Sequence, residues 1–456
     1  MIDETLNADE IAAIAAEAYL YAYPMLVAYG FFHRQVMGPE APEKQAFNRF
    51  THFRTLSSPT LNNTIPWINT DTLYSAVWLD LRAEPMVLQV PAFEAHRFQD
   101  IQGCDWFTMA LFTRGTRDVG NGARTYLLAG PDWSGAPPAG IDEVIASDGQ
   151  IVKMFARIVV EGPGDETAIA ALQDQYRLEP LSAFLGEPPP PAPAEPAWLT
   201  PPAAGFQGPF FEQPTADFIA SFNFLMSLAR VHPDEAALFQ RFRRIGAIPG
   251  AAFDVAMLTP DQAEAIQRGI DQSRARIQKK LAHLDDPVNG WLYPLDLRGG
   301  RDILAGGDDA HLRRAAAARF AIWGPQAEEV VYMSAEVDAE GAPLDGDRSA
   351  YQLRFDRAPP ARGFWSFTVY DAATRLLVAH PSGRYKLGDR DRDMVRGDGG
   401  SLTLYLQNQE PEPALRANWL PVPERPFQVV ARLYWPDPEL LDRSYKPPGF
   451  VATKPV

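Results

Sequence analysis

Cysteine is almost missing from this chain: Cys104 stands alone among 456 residues. One thiol makes neither an internal disulfide nor a thiolate zinc site, so both are excluded. Basic residues are also short, with 42 Lys and Arg against 58 Asp and Glu, a net charge of −16. A chain this acidic is repelled by a phosphate backbone, and no nucleic-acid partner is expected. Histidine is scarce as well. None of His33, His52, His96, His232, His283, His311 and His380 stands at metal-ligand spacing, and neither a metal nor a cofactor is expected. The P-loop, the GxSxG elbow, HExxH and a GxGxxG behind a strand are absent, which removes the chemistries those motifs carry. No uninterrupted run of about 18 apolar residues reads as a membrane span. The first residues hold Asp and Glu where a secretory signal holds Lys or Arg. A cytoplasmic location and no membrane partner are therefore expected.

What the chain does have is core-forming material. Hydrophobic residues make up 46%, among them 26 Phe, 15 Tyr and 10 Trp, which disordered chains lack. The length implies two or three domains. The 42 prolines, about 9% against a usual share near 5%, imply many strand ends and a stiff linker. Residues 1–40 form an N-terminal helical segment. Asn7 caps a helix over 7–23, Glu10 completes the capping box, and Pro24 kinks or ends it. Residues 41–186 alternate short apolar runs with Pro, Gly, Asp and Asn, and read as a first β domain, a sandwich or barrel. The stretch 187–205 is a proline-rich strap. Residues 206–325 are helical: 216–230, 234–243, a helix begun by Thr259, Pro260 and Gln262, and an alanine-rich helix over 308–322. Residues 326–456 are β again. The expected fold class is α+β, with two antiparallel β-sandwich-like domains joined by the helical segment and the strap.

The densest polar cluster inside the first β region is INTDTLYS, with Asn69, Asp71, Thr72 and Tyr74. As a strand it puts Asn69 and Asp71 on one face, at the floor of a pocket, with Tyr74 as hydrogen donor or acid. As a turn it has Asp71 capping and Tyr74 packed with its hydroxyl satisfied. Arg97, Asp105, Arg117 and Arg157 lie in or beside runs that otherwise read as core. Arg97 or Arg157 paired with Asp71 or Asp105 is a sensible internal ion pair. An Arg left partly free would instead hold a substrate carboxylate. Trp106 beside Asp105 lines an apolar pocket or is plain core. The acidic run at 389–398, interleaved with Arg390, Arg392 and Arg396, reads as a solvated turn.

Two stretches carry a resemblance. The run PWINTDTLYSAVWLDLRAEPMVLQVP, with HRFQDIQGCDWF, LFTRGTR and YLLAGPDW behind it, resembles the N-terminal member of a bacterial pair of uncharacterised domains. The run GFWSFTVYDAATRLLVAHPSGRYKLGD, with DGGSLTLYLQ, NWLPVPERPFQVVARLYWPDPELL and YKPP, resembles the C-terminal partner. These are the domain-of-unknown-function families twelve-fifty-four and twelve-fourteen. The resemblance implies two β-sandwich-like domains with a helical insert and a tendency to oligomerise. It implies no settled activity. Two positions depart from the families' pattern: Phe98 follows Arg97 where Tyr is usual, and His380 stands where Asn is usual.

Three functions compete at this point. One is a cofactor-free hydrolase, lyase or isomerase acting on a small, partly apolar molecule. Asp71 or His52 would be its base, Tyr74 or Asp105 its acid and Arg97 its anion anchor, with Asn69, Trp106 and Arg117 binding substrate. The second is a binding or carrier protein using the same pocket without chemistry. The third is a structural or assembly protein. Asn69, Asp71, Tyr74, Arg97 and Asp105 are expected to converge on one cavity, because interior charges are costly unless they meet. The aromatic content also implies an apolar face covered in a homodimer or homotetramer.

Overall fold

The computed structural model describes residues 2–37, 45–63, 65–200, 215–297, 299–301 and 309–454. The first β domain holds β1 (Thr51–His52), β2 (Thr72–Asp80), β3 (Met86–Val90), β4 (Gln99–Cys104), β5 (Ala110–Gly115), β6 (Arg124–Ala129), β7 (Glu143–Ala146), β8 (Ile151–Val159) and β9 (Arg177–Pro180). They make a five-stranded sheet in the order β1-β2-β8-β4-β5 and a four-stranded sheet β7-β6-β3-β9. The two sheets close on a core that includes Leu73, Val77, Leu88, Tyr126, Met154 and Ile158.

The second β domain repeats this plan. It contains β10 (Trp291–Leu292), β11 (Val330–Ala335), β12 (Ala350–Phe355), β13 (Ala361–Asp371), β14 (Lys386–Gly388), β15 (Leu402–Gln407), β16 (Trp419–Pro421), β17 (Phe427–Pro436) and β18 (Val451–Thr453). A five-stranded sheet β10-β11-β17-β13-β14 faces a four-stranded sheet β16-β15-β12-β18. Trp365, Phe367, Leu353, Leu404 and Leu433 lie between them. The α+β, two-domain class read from the sequence holds. The pairing is antiparallel except for β6 with β7 and β15 with β16, which are parallel. Trp291 and Leu292, inside the stretch read as helical, join the second sheet as β10.

The helices are α1 (Ala8–Phe32), α2 (Glu166–Gln173), α3 (Leu181–Leu185), α4 (Phe218–Met226), α5 (Ala236–Arg243), α6 (Pro260–Ala282), α7 (Ala310–Ala321) and α8 (Pro438–Leu441). The Asn7 side chain accepts from the Asp9 and Glu10 amides, and Glu10 accepts from the Asn7 amide, so α1 starts where its capping box stands. Thr259 and Gln262 start α6 the same way. Pro24 does not end α1. The helix runs through it to Phe32 and widens into a π-helical turn, His33–Met37. Proline removes one helical hydrogen bond, but α1 is buried nearly all round by α4, α5, α6 and α7, and that packing outweighs the loss. The helix is long and apolar enough to cross a membrane, contrary to the reading above, yet most of it is buried inside the protein.

Gly269 of α6 allows the closest approach. A Cβ there would stand 2.3 Å from the Ala12 carbonyl oxygen and 2.9 Å from the Ala16 nitrogen, both backbone atoms of α1. Ser273, one turn on, donates to the Ala16 carbonyl at 2.8 Å. The described part of the strap packs on this layer. Trp198 lies 5.0 Å from Phe32 and 5.7 Å from Phe224, and the Tyr29 hydroxyl donates to the Leu199 carbonyl at 2.5 Å. Strap residues 201–205 fall outside the described residues.

Candidate functional site

The site is built on the outer face of the first five-stranded sheet. Strand alternation sends Leu73, Val77, Met154, Ala156 and Ile101 into the sandwich core. The opposite face then carries three cross-strand rows: Trp78–Lys153–Cys104, Ala76–Phe155–Gln102 and Tyr74–Arg157–Asp100. The helical layer covers the first row, since Trp78 and Cys104 belong to its apolar cluster. The second β domain covers the third, where Tyr332 and Tyr434 face Tyr74 and Arg157. This sheet is therefore buried on both faces, which is why β4 and β8 are buried almost residue for residue.

In the third row Arg157 donates to Asp100 at 2.8 Å and to Gln102 at 2.8 Å, and its guanidinium lies 5.4 Å from the Tyr74 ring centroid. Asp71 lies just before β2 and is fully buried. Its Oδ2 accepts from Ser366 at 2.6 Å, and its Oδ1 from Arg390 at 2.5 Å and Lys386 at 3.3 Å. Burial would raise this carboxyl, but Lys386, Arg390 and Arg432 outweigh it and hold it well below the usual carboxylate range. Asn69 is the turn former. Its side-chain oxygen accepts from the Asp71 amide at 2.7 Å and the Thr72 amide at 3.1 Å, and its amide donates to the Tyr434 hydroxyl at 2.7 Å.

The eight residues singled out from the sequence do not share one cavity. Asn69, Asp71 and Tyr74 lie between the two β domains. Arg97 meets neither Asp71 nor Asp105. It pairs with Asp165 at 2.7 Å and Glu94 at 2.8 Å, and donates to the Val159 carbonyl at 3.1 Å. Arg117 bridges to Glu329 at 2.5 Å. His52 contacts the Ser75 hydroxyl at 2.8 Å, and burial lowers its pKa. Trp106 packs among Tyr29, Phe32 and Trp78 as core. Asp105 accepts from the Met109 amide at 2.9 Å in the turn between β4 and β5. Burial pushes its carboxyl up to about 6, against the pull of Arg314. The expected convergence fails because several of these charges close on partners distant in the chain, Arg97 on Asp165 as well as on the nearby Glu94, and Arg117 on Glu329. Asp71's partners, for example, lie some three hundred residues downstream, and one of them, Arg390, comes from the run read as a solvated turn.

A second cluster of polar groups was missed. In α7, Arg314, Ala317, Ala318 and Ala321 form an i, i+3, i+4, i+7 stripe. Together with Thr108 and Met109 of the β4–β5 turn, Leu297, Ile322 and Trp323, they line a narrow cleft of about 10 Å³, room for a single water, that opens to solvent. The alanines leave the room. Thr108 and Trp323 both sit in the left-handed backbone region, at φ of 62° and 58°, where β-branched and bulky residues are strained. Arg314 is 2% exposed and donates to the Phe107 carbonyl at 2.5 Å. Its Nε and Nη1, and the indole nitrogen of Trp323, have no hydrogen-bond partner. The arginine-plus-alanine stripe stands in the sequence, where it reads only as an alanine-rich helix.

Lys153, in the first row, is 1% exposed. Its ammonium lies 4.8 Å from the Trp78 ring and 5.0 Å from Phe155, and reaches Gln35 at 3.4 Å and Gln45 at 3.3 Å. Among the described residues no carboxylate pairs with it, and burial pushes it down to about 7. Among the described residues no three His, Cys, Asp or Glu side chains converge in a way that holds a metal ion.

Comparison with known proteins bears out the paired resemblance. Residues 47–180 match the family described as protein of unknown function DUF1254, and residues 329–438 the family described as protein of unknown function DUF1214. Thr108 and Met109 lie within the first match, whereas Arg314 and Trp323 fall between the two. The chain is similar to the crystal structure of the VPA0106 protein from Vibrio parahaemolyticus, at 25% identity and a TM-score of 0.78, over 97% of this chain and 100% of that one. It also aligns with an uncharacterised protein from Burkholderia cenocepacia at 12% identity and a TM-score of 0.45, over 96% of this chain and 89% of that one. No curated protein matches.

Proposed function

We propose, for a chain that carries a DUF1254 region followed by a DUF1214 region, that a small molecule binds at the narrow cleft between α7 and the β4–β5 turn, displacing the side chains that now leave room for a single water. One observation carries this reading. Arg314 is buried yet leaves two guanidinium nitrogens unbonded beside a cleft walled by alanines and Trp323. Buried donors are almost always bonded, so an orphaned pair at a cleft marks a place meant for another molecule. By contrast, Asp71 and its cations bond one another across the β domains, which supports a bracing role for them.

Binding without chemistry is the leading reading, because among the described residues the cleft walls hold no carboxylate, imidazole or thiol. Asp105 favours a second one. A carboxyl held at about 6 behind Arg314 is poised for proton transfer in a cofactor-free hydrolysis, elimination or isomerisation. Incubation with a metabolite extract, followed by mass spectrometry of the retained molecules, tests the site. The wild-type protein should retain a small molecule that Ala317→Trp, which fills the cleft, does not. Identical retention by both proteins would place the ligand elsewhere.

A further inference from the structure

We infer that Ser382 and His380 form a nucleophile–base pair on the surface of the second β domain, and that it accepts acyl groups from small esters with good leaving groups. The pair lies on the loop between β13 and β14, shares no residue with the cleft, and stands or falls independently of it. The Ser382 hydroxyl lies 2.8 Å from Nδ1 of His380. The surrounding bonds assign the protons. The Ser382 backbone amide donates to Nδ1 at 3.2 Å, so Nδ1 bears a lone pair. The ring proton then sits on Nε2, which donates to the Asn408 carbonyl at 3.1 Å. The Arg384 amide donates to the Ser382 oxygen at 3.3 Å, which leaves the hydroxyl hydrogen to point at Nδ1. A nucleophile bonded to a base, with the base oriented by a third group, is the arrangement that activates a hydroxyl.

The surroundings hold the base and leave the nucleophile open. Trp419, itself buried, meets the imidazole edge-on at 5.4 Å and 88°. The Arg384 guanidinium donates to the carbonyls of Arg416 and Trp419 at 2.8 and 2.7 Å, which ties the loop to the start of β16. Ser382 is exposed and His380 half-buried. A turn by itself needs only an acceptor for the Ser382 amide, which Asn or Asp supplies. It accounts neither for the hydroxyl on Nδ1 nor for the grip on the far ring nitrogen. In the reaction, Ser382 Oγ attacks the ester carbonyl and its proton passes to Nδ1. The bond from the carbonyl carbon to the leaving oxygen then breaks, and the imidazolium gives that oxygen the proton. Water, deprotonated by the same imidazole, frees the acid and restores the serine. Ser382 stands in the open, so little remote binding energy acts on a poor leaving group, and the substrates are activated esters rather than amides.

Incubation of the full chain with p-nitrophenyl acetate, with the acetyl group located by mass spectrometry of peptides, tests this. The wild-type protein should release nitrophenol and carry acetyl on Ser382. Ser382→Ala should lower the release to that of the urea-unfolded chain. His380→Asn keeps an acceptor for the Ser382 amide but has no base, and should slow acylation by about tenfold or more with the urea unfolding midpoint unchanged. Should His380→Asn shift that midpoint, Ser382→Ala and the position of the acetyl group decide. The matching amide, 4-nitroacetanilide, should release no nitroaniline. Acetyl found only on other side chains, a smaller loss of rate in a stably folded His380→Asn, or release that Ser382→Ala preserves overturns the inference. The last outcome would show the imidazole acting alone. Cleavage of the anilide at the rate of the ester overturns the substrate class.

Discussion

Lys153 should make the protein less stable at neutral pH than its Lys153→Met variant. Burial takes this amine from its ordinary value near 10.5 to about 7. At about 1.4 kcal/mol per pH unit, the charged form is disfavoured in the folded protein by about 5 kcal/mol. The faces of Trp78 and Phe155 return about 1–2 kcal/mol through cation–π attraction. Methionine is similar in length and needs no hydration. It leaves the Gln45 carbonyl without the ammonium, a loss of about 1–3 kcal/mol, whereas Gln35 keeps its bond from Trp78 at 2.9 Å. The balance is about 1 kcal/mol in favour of Lys153→Met at pH 6. The sign then reverses with pH. The folded pKa lies below the unfolded one, so between about 7 and 10.5 the unfolded chain binds the extra proton and wild-type stability rises relative to the variant. Urea unfolding of both proteins at pH 6, 7.5 and 9 should give stability curves that cross. Parallel curves over that range would mean that Lys153 is solvated or paired in solution, and the reasoning would fail.

Asp71→Asn removes the buried anion shared by the part-buried Lys386 and Arg390, and should cost about 3 kcal/mol in chemical denaturation at pH 7; a loss under 1 kcal/mol would show the cluster to be hydrated. The Asp71 pKa is depressed on folding, so its contribution is complete above the ordinary carboxylate range and falls away on acidification, and the stability gap between wild type and Asp71→Asn should narrow below about pH 4. Gly269→Ala drives a methyl group into the backbone of α1 and should lower stability by about 1–3 kcal/mol, against no more than a few tenths for alanine at Gly122, which meets open space.

Local signals carried far in this chain. The capping boxes of Asn7 and Thr259 place the starts of α1 and α6, because a cap is settled by residues three apart. The alternation in LYSAVWLDL and KMFARIVV places β2 and β8, and the paired family resemblance places both domains. What stayed hidden depends on distance along the chain. Pro24 reads as a kink or an end of the helix until α6 and α7 are known to pack on α1. Tyr74, Arg157 and Asp100 share a row only once β2, β8 and β4 are in register, and Asp100 itself drew no notice as a partner. Arg97 and Asp71, 26 positions apart, read as a pair, whereas Asp165, Lys386 and Arg390 are where the charges close. The cleft escaped for a related reason: one half of it comes from a β turn and the other from a helix two hundred residues later.

The burial of α1 also sets a timetable for synthesis. Its last residue is Phe32, and α4, the first helix in the chain to cover it, begins at Phe218. At about 5–20 residues per second, a ribosome needs roughly 10–40 s to make the intervening chain, and longer to reach α6 and α7. For that time a 25-residue apolar helix has left the ribosome with its partners still unmade. The first β domain, completed meanwhile, offers it Trp78 and Cys104 of its first row, with Trp106 beside them, as a provisional dock. The nascent chain is thus most exposed to chaperones and proteases between the completion of β8 and the arrival of α6, and truncations ending in that interval should be recovered as aggregates.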